Sequence, residues 1–286
     1  MQVKILNYQN NFMPVNTKIL ISIIYIIITA NFITANSYAG FGFLGKKKST
    51  TITHLYENTN ILSHLQEHKI HDTKCNKLLN KLVIIKGIQY LGFDGEVKND
   101  GYIVTLDAVA QDVQEIFQEL FEMHFPLGGI NPLLGVTTKY KKNGAREIFI
   151  DNNYNYTGSY SCRKKTAGES LSTHSYGLAI DLNPLQNPFI LYNNMHGITK
   201  IIPENGKHFI DTAIRQPGQI NQKVIDIMAR HGFTVWGGSW KNPSDRHHFE
   251  VDGKISQTIL HLKTKDAIRF FRNHTSKLQT EKKSSQ

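Results

Sequence analysis

Cysteine is almost missing from this chain: there are 2 in 286 residues, Cys75 and Cys162. They form no C-x-x-C, so neither a thiolate-held structural zinc site nor a thioredoxin-like motif is indicated. In an exported protein such a pair can close one disulfide, and two free thiols are the other reading. No fixed-period repeat runs through the sequence, and no nucleic-acid recognition motif is visible. Long apolar runs are scarce too. The main one, Ile19 to Ile28 with a weaker continuation to Ile33, is short and polar at its end for a membrane span.

That run has a different use. Lys18 precedes it, and Ser37-Tyr38-Ala39 follows before Gly40. A basic start, an apolar stretch and a small-x-small triplet make a secretory signal peptide cut after Ala39. The stretch before Lys18 is unusually long, which leaves Met13 as a second possible start. An uncleaved N-terminal anchor, holding the protein near a membrane, is the alternative. Both place the body of the protein outside the cytoplasm, in the periplasm or cell envelope. The charge is basic, with 33 Lys and Arg against 23 Asp and Glu, a net +10. Such a surface attracts polyanions: nucleic acid, acidic lipid or an anionic wall. The export signal and the missing motif speak against nucleic acid. Hydrophobic residues make up 40 %, enough for a buried core.

Four segments follow from composition and pattern. Residues 1–39 are the signal peptide, and residues 40–100 a polar N-terminal extension of uncertain order. A core spans 101–255, and 256–286 holds a C-terminal helix and a charged tail. Within 81–97, two apolar runs split by Gly87 read as strands. Asp107 to His124 reads as a helix, with Val109, Val113, Ile116, Phe117, Leu120 and Phe121 on one face and Asp107 as its cap. Further helices are expected over Gln219 to His231 and Ser256 to Asn273. Between them, Gly177 to Asn183 and His247 to Val251 alternate like strands, with His248 and Glu250 on one side and His247 on the other. Helices mixed with short strands, without a βαβ rhythm, give an α+β fold with a small antiparallel sheet.

Two clusters carry chemistry. His174 stands just before the first short strand and Asp181 lies in it. A carboxylate in an apolar strand needs a partner, and a metal, an arginine or a helix cap would each serve. Downstream, Trp236-Gly237-Gly238-Ser239-Trp240 leads to Asp245-Arg246-His247-His248-Phe249-Glu250. Imidazole and carboxylate together suit Zn²⁺, and three protein ligands with one open position make a catalytic site. A further free acid can take a proton from water as it attacks a carbonyl. His174, Asp181, His248 and Asp245 supply such a set. A solvated or hydrogen-bonded histidine pair beside a strand is the plainer reading of His247 and His248.

The stretch from Asp151 to Glu250 resembles the M15 family of D-alanyl-D-alanine carboxypeptidases and related endopeptidases. The family pattern S-x-H-x-x-G-x-A-x-D stands complete from Ser172 to Asp181 and continues through Asn183-Pro184-Leu185-Gln186-Asn187-Pro188. The second motif, an acid three positions before a histidine, is Asp245 to His248. An upstream arginine stands in Ser161-Cys162-Arg163. Many relatives have Glu where Asp245 stands, while the branch resembled here uses Asp. The resemblance implies the Hedgehog/DD-peptidase-like core over roughly 101–255. It implies zinc held by His174, Asp181 and His248, with Asp245 as the base and acid. Arg163 then steadies the substrate carbonyl or binds a substrate carboxylate, and peptidoglycan peptide is the substrate. A wall-binding module that keeps the fold without catalysis is the competing reading. Trp236 and Trp240 are expected to wall the cleft, with core packing as the other role for one of them.

Overall fold

The computed structural model describes residues 50–68, 70–131, 136–140, 146–150, 155–165, 169–193, 197–210 and 214–284. The expected signal peptide lies outside the described residues. Among the described residues, no helix is long and apolar enough to cross a membrane.

The chain first forms strand β1 (Thr51–His54) and helix α1 (Thr59–Glu67), then the long strand β2 (Leu82–Gly92) and its partner β3 (Val97–Leu106). Both β1 and β3 pair with β2 antiparallel. The expected two runs around Gly87 are one strand whose register shifts between Lys86 and Ile88. Both faces of β2 are covered, which explains why its apolar residues run consecutively rather than alternately. Leu82 and Ile84 enter one core with Val104, while Val83, Ile85 and Ile88 enter the other with Ile103 and Leu106. Each such buried side chain contributes about 1.5–3 kcal/mol.

Helix α2 (Ala110–Glu122) lies against the larger core through Val113, Ile116, Phe117 and Leu120. Asp107 does not cap it. A 3-10 turn, Asp107–Val109, intervenes, so the carboxylate sits a turn too early and makes no capping bond. The short strand β4 (Pro126–Leu127) then joins β2 in parallel, and β5 (Val136–Tyr140) pairs with β6 (Arg146–Ile150) antiparallel.

The smaller core accounts for residues 50–100, whose polar composition suggested a loose extension. Leu55, Leu65, Ile70, Cys75 and Leu78 cover the second face of the sheet together with Tyr160 and Cys162. Cys75 and Cys162 are joined in a disulfide. A few apolar side chains at wide spacing suffice here because the sheet itself supplies the other half of the core.

Three further strands form the small antiparallel sheet that carries Asp181 and His248: β7 (Ala179–Asp181), β10 (Val235–Trp236) and β12 (His248–Glu250), in the order β10-β12-β7. Beside it, β8 (Phe189–Asn193) pairs with both β9 (Gly197–Ile202) and β11 (Ser244–Asp245). Helix α3 (Gln222–Arg230) begins where Asn221 accepts the Val224 N–H at 3.1 Å. The expected C-terminal helix is two helices, α4 (Gly253–His261) and α5 (Thr264–Ser284). Leu262 between them is extended, and the Lys81 ammonium donates to Leu260 O at 2.7 Å and Leu262 O at 2.8 Å. A buried-side cation thereby takes the carbonyls that the next turn of helix would have used. The result is a mixed α and β fold of small sheets and several helices.

Candidate metal centre

Asp181 and His248 face one another across β7 and β12, in register. One face of a two-strand ladder therefore brings together residues far apart in sequence. His174 arrives from the 3-10 turn Thr173–Tyr176, which ends at Gly177 with φ of 64°. A Cβ at Gly177 would lie 2.7 Å from Leu106 N and 2.8 Å from Thr105 backbone atoms. Glycine there permits both the left-handed turn and its close approach to β3. The Gly177 carbonyl accepts from Thr105 Oγ1 at 2.7 Å and from Leu106 N–H at 3.1 Å, which locks the turn in place.

The three side chains converge. His174 Nε2 lies 3.3 Å from Asp181 Oδ2, His248 Nδ1 lies 3.1 Å from Asp181 Oδ1, and the two ring nitrogens are 3.1 Å apart. Each ring is oriented by its other nitrogen. His174 Nδ1 donates to Ser159 O at 2.5 Å, and His248 Nε2 donates to Glu250 Oε2 at 3.2 Å. Thr173 Oγ1 donates to the same Glu250 oxygen at 2.5 Å. With protons held on the outer nitrogens, the inner nitrogens present lone pairs to each other and to a carboxylate. Three lone-pair donors turned on one point fit a divalent cation, and the outer acceptors are the usual supports of metal-binding histidines. The donor atoms lie within 4.8 Å of one another.

The electrostatics describe the same point without a cation. Burial alone would push His248 down, but hydrogen bonds to Asp181 and Glu250 and the charges of Asp181 and Asp245 raise its pKa to about 10. Burial would push Asp181 up, and the neighbouring His174 and His247 instead hold its carboxyl well below the usual range. The same groups thus favour positive charge at the point where a cation would sit.

Asp245 sits on β11, fixed by its pairing with Phe189. Gly237 crosses directly above it: a Cβ there would meet Asp245 O at 2.6 Å and His248 Cβ at 3.3 Å. The sequence reading set His247 apart, on the far face of a strand. The strand begins only at His248, and His247 belongs to the preceding turn, so alternation does not govern it. Its Nε2 lies 2.9 Å from Asp245 Oδ1 and 3.8 Å from Asp181 Oδ2, while Nδ1 donates to Asn187 O at 2.8 Å. Burial opposes the charged ring, yet Asp245 and Asp181 raise its pKa to about 9. His247 therefore joins the acid to the ligand set. Sequence reasoning also missed Ser159, whose contribution is a backbone carbonyl and leaves no side-chain signal.

Arg163 is exposed, and among the described residues its guanidinium reaches only Lys164 O, at 3.5 Å. Its backbone is fixed to the site, because its N–H donates to Ser175 Oγ at 2.9 Å, next to His174. The two tryptophans divide. Trp236 packs on the larger core, stacks on Phe249 at 6.3 Å and donates to Arg246 O at 2.9 Å. Trp240 is exposed with its ring 5.5 Å from that of His248, so it alone borders the centre.

A second metal-type cluster, Asp112, Glu115 and His231, lies between α2 and the end of α3. Arg272 Nη1 is 3.1 Å from Asp112 Oδ1 and 3.2 Å from Glu115 Oε2, the oxygens a metal would need. That cation already occupies those oxygens, and the cluster is a helix-joining ion network.

Two imidazoles, a carboxylate and a separate acid are the residue set of a metal-dependent hydrolase. Residues 165–251 match the M15 peptidase family model described as D-alanyl-D-alanine carboxypeptidase, and this match supports an M15-family peptidase. It includes His174, Asp181, Asp245 and His248; Arg163 lies just before it. No curated protein and no solved structure gave a significant match.

Proposed function

We propose that the protein is an exported zinc metallopeptidase that hydrolyses an amide bond in peptidoglycan stem peptides, in the manner of D-alanyl-D-alanine carboxypeptidases. The observation that carries the reading is the convergence of two inward-facing imidazole nitrogens on Asp181, with the Asp245–His247 pair beside them. His174, Asp181 and His248 would hold the metal on an M15-type core. Zinc, when bound, acts as a Lewis acid towards the substrate carbonyl and makes water acidic near neutral pH.

The chain's own residues do the rest. Asp245 accepts a proton at its carboxylate as water attacks, then returns it to the leaving amine. His247 holds that carboxylate in place through Nε2. Ser159 O and Glu250 keep the histidines in the tautomers that leave the inner nitrogens free. Arg163 supplies positive charge where the carbonyl oxygen becomes negative. Cleavage after Ala39 delivers the enzyme to the periplasm or envelope, where Gly40 would be its first residue.

Purified peptidoglycan incubated with the protein should release amino acids or peptides, a chelator should stop the release, and zinc should restore it. Asp245→Ala should keep its zinc and lose turnover. Undiminished turnover in that variant would remove Asp245 from its role. Binding to wall without any release would make the protein an adhesion module.

A further inference from the structure

The charge of the chain is not spread evenly. Residues 50–252, which contain the metal centre, carry 20 Lys and Arg against 21 Asp and Glu. Residues 253–286 carry 8 against 2, and the first 49 residues carry 5 lysines and no acid. The net +10 therefore belongs to the two ends, and the stretch between them is close to neutral. A general basic bias that keeps a protein soluble has no reason to respect such boundaries.

Helix α5 displays the C-terminal share. Ala267, Phe271 and Thr275 are buried at steps of four and fix which side of the helix meets the core. Lys265, Arg269, Asn273, Ser276, Lys277 and Thr280 are exposed on the opposite side, and Lys263 is exposed just before the helix. Asp266 is taken by Arg269 at 2.9 Å, and Arg272 turns to Asp112 and Glu115 of α2. Lys263, Lys265 and Lys277 have no carboxylate partner among the described residues. Two of these three stand at the N-terminal end of α5, where the helix dipole disfavours cations, so they do not serve the helix itself. Ile268, 38 % exposed, flanks the row, one turn from Lys265 and next to Arg269.

We propose that the exposed side of α5, together with Lys263, is a docking face for an anionic phospholipid surface. Lysines near such a surface are each attracted by its headgroups, and an apolar side chain among them gains by entering the headgroup boundary. Ile268 would gain nothing from a hydrophilic polyanion. Phe270 and Phe271 pack on the larger core, so neither is offered to the bases of a nucleic acid. The 21 residues of the helix span roughly 31 Å, a line of contact that a flat surface can follow. The proposal is independent of the peptidase reading; the export reading supplies only the reason that the chain would meet a bilayer.

The test measures sedimentation of the full chain with two kinds of vesicle, phosphatidylcholine alone and phosphatidylcholine mixed equally with phosphatidylglycerol. The apolar run from Ile19 to Ile28 meets both kinds, so the ratio of the two affinities isolates charge. The anionic vesicles should bind at least about tenfold more tightly at low salt, and about 0.5 M salt should remove the difference. Replacing Lys263, Lys265 and Lys277 together by Gln should bring the ratio close to one, with circular dichroism unchanged. Ile268→Ser should weaken binding to the anionic vesicles severalfold and leave binding to soluble polyphosphate as it was. Equal binding to both vesicles would overturn the proposal. So would a ratio that survives the triple replacement, which would move the attraction to the lysines before Thr50. Tighter binding to polyphosphate or duplex DNA than to the anionic vesicles, with Ile268→Ser silent, would replace the lipid by a soluble polyanion. Cleavage of soluble stem peptide is assayed separately; its absence would count against the peptidase reading and leave the vesicle results standing.

Discussion

Nε2 of His247 lies 2.9 Å from Oδ1 of Asp245. The other ring nitrogen is anchored on Asn187 O at 2.8 Å, so the ring cannot turn without losing a bond. A general base works only when its lone pair is aimed, and an outer-shell partner does the aiming. His247→Ala should therefore lower kcat about tenfold to hundredfold while the protein still binds one zinc. KM should stay within about twofold, because substrate contacts are intact. A metal titration beside steady-state kinetics checks this, and an unchanged kcat would make His247 a bystander.

The grouping of His174, Asp181 and His248 was legible through the family resemblance, because two residue types that suit a metal left a hydrogen-bonded histidine pair as the plainer reading; the alternation of β7 and β12 agrees with it. His247 was misplaced for a local reason. The alternation was extended one residue into a turn, where strand periodicity has no force. Residues 50–80 were underestimated because they contain few apolar side chains, and the count ignored the half of the core that the sheet provides. The pairing of Cys75 with Cys162 could not be read, since spacing alone does not say which loops meet. The break at Leu262 depends on Lys81, 181 residues away, and no local window contains it.

Metal and proton compete for one place. In the metal-free protein His248 has its pKa raised to about 10, so it is protonated at neutral pH. Zinc binding at pH 7 should then release at least one proton per chain, read by calorimetry in buffers of different ionisation enthalpy. Stability of the metal-free protein follows with a definite sign. His247 and His248 are raised above the unfolded value, to about 9 and about 10, so their contribution is complete below about pH 6.5 and disappears as pH rises through 9 and 10. Asp181 and Glu250 are lowered, so theirs is present above the ordinary carboxylate range and lost as the pH falls below it. The melting temperature in chelator should fall on both sides of neutrality. A flat profile from pH 7 to 10.5 would contradict the assignment.

Arg272 bridges helices. It meets Asp112 and Glu115 of α2 from α5, while His231 at the end of α3 lies 3.4 Å from Asp112 and 2.8 Å from Glu119. Asp112 is fully buried, and a buried carboxylate robbed of its main cation is costly. Arg272→Met should destabilise the fold by about 3 kcal/mol and lower the melting temperature by several degrees. Activity per folded molecule at low temperature should be unchanged, because the network does not touch the metal centre. Retained stability would show that His231 alone satisfies Asp112.

The disulfide acts on the centre through a single stretch of backbone. Cys162 is tied to the segment between β1 and β2 by the bond to Cys75 and by its N–H, which donates to Ile70 O at 2.7 Å. Three residues earlier, Ser159 O receives the His174 Nδ1 proton, and one residue later Arg163 is pinned to Ser175. The bond closes a loop with a separation of 87 residues. Chain entropy gives such closure up to about 4–5 kcal/mol. Replacing both cysteines by serine should therefore lower the melting temperature markedly. It should also weaken zinc binding about tenfold at a temperature where the variant remains folded, since the carbonyl that orients His174 is no longer held from behind. Circular dichroism establishes folding, and competition with a chromogenic chelator reads the affinity. A folded variant that binds zinc as tightly as the parent would confine the disulfide to stability, and the orientation of His174 would then rest on Ser175 and the turn at Gly177.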